Sequence, residues 1–311
     1  MNEFFFIVYM ETVEIFTDWW NNEAKKGGGR MNLTIETFDL FTRNRYYPTL
    51  YVAKHNFDGG VKRLTFDDID RFLENMDFDA VTITGLQQDT FEYFVEKYGA
   101  RFKGIRFCHN RLVSDWSVLA GLTSLEYLEL FANYGMTSLW DMSTNRSLKA
   151  LSISNCTKLH SIEGVEKATS LRRFEIGEAV WRTTVVDSFM PLAGTQIEHL
   201  DFSGKKIVND DLSFLWSMPK LKHFDFPTNL FTTEQVAWMV SNFPDLEGYA
   251  LCAKIDTKAC NEMTGEYDEP ESLIVGKRKP ILINKGNEAR IQRYVDQFNQ
   301  LVKCYKGKEK P

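Results

Sequence analysis

Two histidines and two aspartates recur in the same short pattern at two places in the chain. One residue separates His199 from Asp201, and one residue separates His223 from Asp225. Two imidazoles and two carboxylates could ligate Zn²⁺ or a similar ion. Each histidine could instead pair with its aspartate for acid–base chemistry. Either chemistry requires a fold that brings the two patterns side by side.

Both patterns lie inside a repeated apolar phrase, spaced apolar-x-x-apolar-x-apolar. A fixed period of 20 to 30 residues is typical of stacked units that share one continuous core. The eight copies are Phe78/Val81/Ile83, Phe102/Ile105/Phe107, Leu125/Leu128/Leu130, Leu148/Leu151/Ile153, Leu171/Phe174/Ile176, Ile197/Leu200/Phe202, Leu221/Phe224/Phe226 and Leu246/Tyr249/Leu251. We therefore predict one short strand per copy, with the strands stacked in parallel and the two His-x-Asp patterns on neighbouring strands.

The phrase resembles the leucine-rich repeat, in which Asn or Cys stands three residues after the last apolar position. At that position the eight copies have, in order, Leu86, Asn110, Asn133, Cys156, Ala179, Lys205, Asn229 and Lys254. The stretch from Leu112 to Leu130 is similar to the repeats of bacterial internalins. The resemblance implies an α/β solenoid with a curved parallel sheet of about eight repeats over residues 78–251. It also implies a non-catalytic scaffold that binds another protein on its concave face.

The regions outside the repeats are predicted to cap both ends, because the end unit of a repeat array exposes an apolar cross-section. Residues 1–77 are predicted to form an α+β cap. It has strands over 4–16, 31–41 and 50–53 and a helix that begins with a Thr65–Asp68 capping box. Residues 252–311 are predicted to form a second cap. It has an acidic loop, a strand at Ile281–Ile283 and a helix that packs on the last repeat. The alternative is that this amphipathic helix binds a partner.

Composition excludes several classes of protein. The net charge of −6 argues against a nucleic-acid binder. The alternative is that nucleic acid binds the basic C-terminal part of the chain. From Lys277 onward this part has ten basic and three acidic residues. The sequence has none of the common motifs for metal, serine-nucleophile or phosphate chemistry, so we predict neither catalysis nor a cofactor.

Location is predicted from apolar runs and cysteines. Residues 4–10 form an apolar run of only seven residues without a preceding Lys or Arg, which is unlike a secretory signal. No run approaches the ~20 apolar residues that span a bilayer. The five cysteines form no C-x-x-C pair and fit a reducing compartment. The sequence therefore predicts a cytoplasmic protein that does not contact a membrane.

Alternation along each strand predicts which side chains face away from the core. On this concave face, a column with more acidic than basic side chains predicts a partner with a basic surface. Two aromatic residues flank one of the acids and are predicted as exposed anchors; the alternative is that a loop or cap covers them. The predicted partner-binding residues are Tyr127, Glu129, Phe131, Arg173, Glu175, His199, Asp201, His223 and Asp225.

The alternative function is a metal-binding protein or metal-dependent hydrolase that uses His199, Asp201, His223 and Asp225. The other interpretation is that these four residues are ordinary polar side chains on a solvent-exposed sheet face, without a metal.

Overall fold

The computed structural model describes residues 35, 38, 49–50, 64–74, 78–178, 183–258 and 269–308 of the 311-residue chain. It has a mixed α/β fold built around one large parallel sheet. The strands are β1 Thr49–Leu50, β2 Ala80–Thr84, β3 Gly104–Cys108, β4 Tyr127–Phe131, β5 Ala150–Ser154, β6 Arg173–Gly177, β7 Val185–Ser188, β8 His199–Ser203, β9 Lys206–Asn209, β10 His223–Asp225, β11 Lys254–Thr257, β12 Glu271–Ile274 and β13 Ile281–Ile283. The helices are α1 Phe66–Leu73, α2 Gln88–Tyr98, α3 Thr233–Asn242 and α4 Glu288–Tyr305.

The large sheet follows the order of the chain. Its strands lie in the order β1, β2, β3, β4, β5, β6, β8 and β10, and every pair is parallel. Six of these strands each contain the last two apolar residues of one repeated phrase, and β10 contains only Phe224 of the seventh phrase. The two-residue β1 extends the sheet beyond β2. Parallel strands need a long connection on one side. The connections contain α2, five short 3₁₀ turns and the strands β7 and β9, and α3 follows β10.

The eighth copy of the phrase does not form the predicted strand. Beyond β10 the structure has a single bridge between His223 and Glu247, followed by a turn. The chain approaches β10 so closely at Gly248 that an added Cβ would lie 2.2 Å from the carbonyl oxygen of Phe224. Tyr249, predicted to face the core, is 55% exposed. The close approach and the turn therefore end the sheet one copy earlier than the spacing predicts.

The second and fourth residues of the sheet strands point into one long apolar core, together with residues from the connections. Two buried asparagines link neighbouring turns at its edge. The Asn110 side chain accepts a hydrogen bond from the amide of Leu86 at 2.8 Å, and that of Asn133 accepts one from the amide of Asn110 at 2.9 Å. Cys156 is also buried, whereas Asn229, at the equivalent position, is exposed. Three of these four positions are thus buried at the edge of the core.

The N-terminal predictions are tested at only a few residues. The capping box at Thr65 and Asp68 is confirmed and begins α1. Of the strand predicted over 50–53, only Leu50 lies in an observed strand, β1. Phe38, inside the predicted strand over 31–41, is helical. The predicted strand over 4–16 lies outside the described residues.

The C-terminal residues form a three-stranded antiparallel sheet, β11–β12–β13, with α4 packed along α3. The strand at Ile281–Ile283 and the packed helix were both predicted. Part of the predicted acidic loop is instead strand, because β11 and β12 pair across it. Residues 259–268 of that loop lie outside the described residues.

Candidate interaction face of the large sheet

The first, third and fifth residues of the sheet strands form what we call the polar face. The strands are in register, so each position makes a column across the sheet. Arg106 is beside Glu129, and Glu175 is beside Asp201, which in turn is beside Asp225. Neighbouring strands lie about 4.8 Å apart, which places adjacent members of a column within contact distance. The predicted columns are therefore present from β2 to β10.

One half of this face is closed to solvent. We call the polar-face residues of β2, β3, β4 and β5 the covered half. Phe38, itself fully buried, packs on Ala80, Tyr127 and Ala150, and Ile35 packs beside it. The rings of Phe38 and Tyr127 have centroids 6.2 Å apart. A residue from the region before the repeats therefore occupies this part of the face.

Burial corrects two of the predicted partner-binding residues. Tyr127 and Glu129 are each only 3% exposed, and Phe131 is half-buried. The physical reason is the packing of Phe38 on Tyr127, which was the alternative open in the sequence. Tyr127 thus cannot present its side chain to a partner while Phe38 is in place, and Glu129 is buried beside Arg106.

The covered half contains a buried ion pair. The guanidinium of Arg106 pairs with the carboxylate of Glu129 and lies over the Phe131 ring, 5.6 Å from its centroid. Burial raises the pKa of Glu129 to about 7, although the neighbouring Arg106 charge opposes the rise. Removing a carboxylate from water favours its neutral form. The pair is a structural feature of the interior.

The other half of the face is accessible to solvent. We call the polar-face residues of β6, β8 and β10 the open half. Its members Arg173, Glu175, His199, Asp201, Ser203, His223 and Asp225 are all partly exposed. Arg173 and Glu175 lie two residues apart on β6 and form an ion pair at 2.6 Å. The Arg173 guanidinium also lies 5.8 Å from the centre of the Phe38 ring, at the boundary between the two halves.

The two histidines stack face to face. Their ring centroids are 4.4 Å apart and their planes differ by 11°. His223 also has its Nδ1 3.3 Å from a carboxylate oxygen of Glu247. Burial lowers the pKa of His199, and the neighbouring His223 and Arg173 lower it further. The neutral imidazole is therefore the favoured form of His199, since partial burial and nearby positive charge both oppose protonation.

The four residues do not form a metal-binding group. Ring nitrogens bind a metal through lone pairs in the ring plane, and two parallel stacked planes do not direct those lone pairs to one point. Asp225 uses its Oδ1 to accept a hydrogen bond from the amide of Tyr249 at 2.7 Å. Across the described residues, no group of three or more His, Cys, Asp or Glu side chains is arranged to hold a metal ion. Metal chemistry by this quartet thus has no support in the geometry.

Three residues that lie against or beside the polar face were not identified from the sequence. The sequence does not indicate where Phe38 packs, because it is a single aromatic residue far from the repeats. Glu247 and Tyr249 lie beside the open half, at the end of the sheet. Gly248 between them was the available signal, since glycine within a strand pattern often marks a bulge or a close approach.

Neither the protein-family models nor the curated proteins compared with this chain give a match. Within the described residues, no helix combines the length and the apolar character needed to cross a membrane.

Proposed function

We propose that this protein is a leucine-rich repeat solenoid of about eight repeats without catalytic activity. It binds a basic segment of another protein on the open half of the polar face. The solenoid is supported by the strand order, in which each successive phrase adds the next parallel strand. The buried hydrogen bonds of Asn110 and Asn133 support it further.

The main support for a basic partner is the negative charge of the open half. Glu175, Asp201 and Asp225 stand in one column on three neighbouring strands. Arg173 is the only Lys or Arg of the open half, and Glu175 already pairs with it. Glu247, with a side chain 75% exposed, adds a fourth carboxylate at the end of the sheet. A surface of this sign favours a positively charged partner and increases the rate of encounter with it.

The shape of the site favours binding over catalysis. The open half lies on a sheet surface, and acid–base groups on a surface open to water lack the desolvated environment that strengthens electrostatic catalysis. Extended sheet faces of repeat proteins serve instead as binding surfaces for macromolecules. We therefore assign His199 and His223 to the contact surface.

A reducing compartment such as the cytoplasm suits this role. Cys108 and Cys156 are buried free thiols, and burial raises the pKa of each to about 12. Cys252 and Cys304 are also free. Free thiols persist where the surroundings keep them reduced.

The test is a charge reversal on the open half with a matched control. We expect the double variant Asp201→Lys/Asp225→Lys to bind a fluorescent Lys- and Arg-rich peptide at least about tenfold more weakly than the wild type, a loss of about 1.4 kcal/mol. The control is Glu163→Lys/Asp187→Lys, which changes the net charge equally at exposed positions outside the polar face. Fluorescence anisotropy at low salt measures both. Equal weakening by the two variants would show only a net-charge effect and contradict the proposal.

A further inference from the structure

The edge strand β13 has an unusual surface for so short an element. Ile281 is 62% exposed and Ile283 is 47% exposed, whereas Leu282 between them is 6% exposed. Leu282 packs with Ile274 and Ile291 on the inner face of the small sheet. The two exposed isoleucines therefore project from the outer face.

On the outer face, this apolar surface extends from β13 across β12 to β11. Ile281 is paired with Leu273 on β12, and Leu273 is paired with Ile255 on β11. Cross-strand partners point to the same face of a sheet, so these three side chains form one apolar row. Leu273 and Ile255 are partly exposed. The row ends at the edge of the sheet, where Ile281 has no neighbour on a further described strand.

The backbone of β13 has hydrogen-bonding groups directed away from the sheet. The amides of Ile274 and Asn284 donate to the carbonyls of Pro280 and Pro270, which fixes the alternation of the ladder. By that alternation the peptide groups of Leu282 face β12, and those of Ile281 and Ile283 face outwards. One of these outward groups, the carbonyl of Ile283, accepts from the Asn287 side chain at 2.9 Å. The amide and carbonyl of Ile281 and the amide of Ile283 are directed to the side where another strand would add.

Basic residues stand on both sides of the edge strand. Lys277, Arg278 and Lys279 precede it and Lys285 follows it, with no acidic residue between 277 and 285. Lys277 is paired with Asp210 at 2.7 Å, and Lys285 is 3.5 Å from the exposed Glu269. Within the described residues, Arg278 and Lys279 form no ion pair; the Lys279 ammonium lies over the ring of Tyr294. The edge therefore has a positive charge of the opposite sign to the open half.

We propose that β13 is a docking edge for an extended, acidic segment of a partner protein, which adds to the small sheet as a fourth strand. Backbone hydrogen bonds to Ile281 and Ile283 hold the segment, and its alternate apolar side chains extend the row of Ile255, Leu273 and Ile281. Acidic residues at the two ends of the segment meet Arg278 and Lys279 on one side and Lys285 on the other.

Charge decides against a second copy of this chain as the occupant. Antiparallel self-pairing centred on Leu282 would place Lys279 directly opposite Lys285 of the other copy, twice in each dimer. Like charges directly opposite each other destabilise a strand pair. Lysines beside an edge strand are also a common means of preventing pairing between identical edges. A segment with acidic flanks removes this repulsion.

The test uses a designed nine-residue peptide, Glu-Glu-Val-Thr-Val-Thr-Val-Glu-Glu, blocked at both ends and labelled with a fluorophore. We expect it to bind the full-length protein at low salt, and a peptide with Lys in place of every Glu to bind at least tenfold more weakly. Ile281→Thr/Ile283→Thr should weaken binding of the acidic peptide at least tenfold by removing the apolar contact without a change of charge. Arg278→Glu/Lys285→Glu should weaken it by a similar factor and reduce its salt dependence.

Two controls make the result specific. Val208→Thr changes another exposed β-branched residue, on β9, and should leave binding unchanged. Asp201→Lys/Asp225→Lys should also leave it unchanged, because this edge is independent of the open half. Loss of edge binding thus does not affect the proposed function, and the reverse also holds. Equal binding of acidic and basic peptides, or full binding by Ile281→Thr/Ile283→Thr, overturns the proposal. Self-association that those isoleucine substitutions abolish overturns it in favour of a second copy.

Discussion

The covered half and the open half of the polar face have the same backbone but different environments. Both consist of short parallel strands in register, and both place charged residues at the third strand position. In the covered half, the Glu129 side chain is 4% exposed in its ion pair with Arg106, which is itself 18% exposed. In the open half, Arg173 and Glu175 form a similar pair that keeps some contact with solvent. The comparison teaches that strand position alone does not decide whether a side chain is available to a partner.

One described source of this difference is the packing of a residue that lies outside the repeats. Phe38 lies in one apolar cluster with Ala80, Tyr127 and Ala150. Its ring also contacts Arg173 at the boundary between the two halves. Beyond that boundary, partly exposed polar side chains continue to β10. We therefore expect substitutions in the covered half to change stability and those in the open half to change binding.

The largest effect is expected from Arg106→Ala. This substitution leaves the carboxylate of Glu129 buried without its counter-charge, and breaking a buried pair in this way costs about 3–5 kcal/mol. Denaturant unfolding measures the change in the free energy of unfolding. Glu175→Ala, in the open half, is the matched control and should cost less than about 1 kcal/mol. Similar losses for both would remove the distinction between the halves.

Removal of the covering ring is expected to have the next largest effect. Phe38→Ala deletes a fully buried aromatic side chain, and such truncations cost about 3 kcal/mol or more. Phe66→Ala removes a phenylalanine that is 43% exposed and should cost clearly less. Unfolding curves of both variants provide the measurement. A loss below about 1 kcal/mol for Phe38→Ala would mean that its contacts do not close the covered half.

The pH dependence of stability is expected to report on Glu129. Its pKa in the folded protein is about 7, above the value of about 4.3 for an exposed glutamate. Between these values the folded state binds more protons than the unfolded state, so the free energy of unfolding falls as the pH rises. The decrease from this group is on the order of 3–4 kcal/mol, at about 1.4 kcal/mol per pKa unit. Unfolding measured from about pH 4 to about pH 7.5 should show a smaller decrease in Glu129→Gln. An unchanged slope would assign the pH dependence to other groups.

The smallest effect on stability is expected in the open half. His199→Ser and His223→Ser remove partly exposed rings whose main contact is each other. We expect each to change the free energy of unfolding by no more than about 0.5–1 kcal/mol, as for other surface substitutions. The same denaturant titrations measure these changes. A loss above about 2 kcal/mol would show that the stacked pair is a structural element.

Local patterns in the sequence predicted much of the fold. The apolar phrase correctly placed His199 beside His223 and Asp201 beside Asp225, because a period of about one strand and one connection fixes the register. The capping box at Thr65 and the strand at Ile281–Ile283 were also correct. Each of these depends on residues close together in the sequence, so the signal is contained in the sequence itself.

The errors have a common physical origin in contacts between distant residues. The burial of Tyr127 depends on Phe38, and no local pattern connects the two. The strands β11 and β12 have polar, unremarkable sequences and form because each pairs with the other across a loop. The eighth copy has the right spacing, but the close approach at Gly248 replaces its strand with a turn. Tertiary context overrides local preference in all three.

The packing of Phe38 also has a consequence for biosynthesis. Each strand of the large sheet can pair with a neighbour that has already left the ribosome, because the strand order follows the chain. Phe38 is made early but docks on Ala150, about 110 residues later, which at 5–20 residues per second takes roughly 6–22 s to synthesise. During that interval Phe38 has no complete docking site, so the polar face of β2 and β3 stays accessible to other chains and chaperones until β4 and β5 have been made.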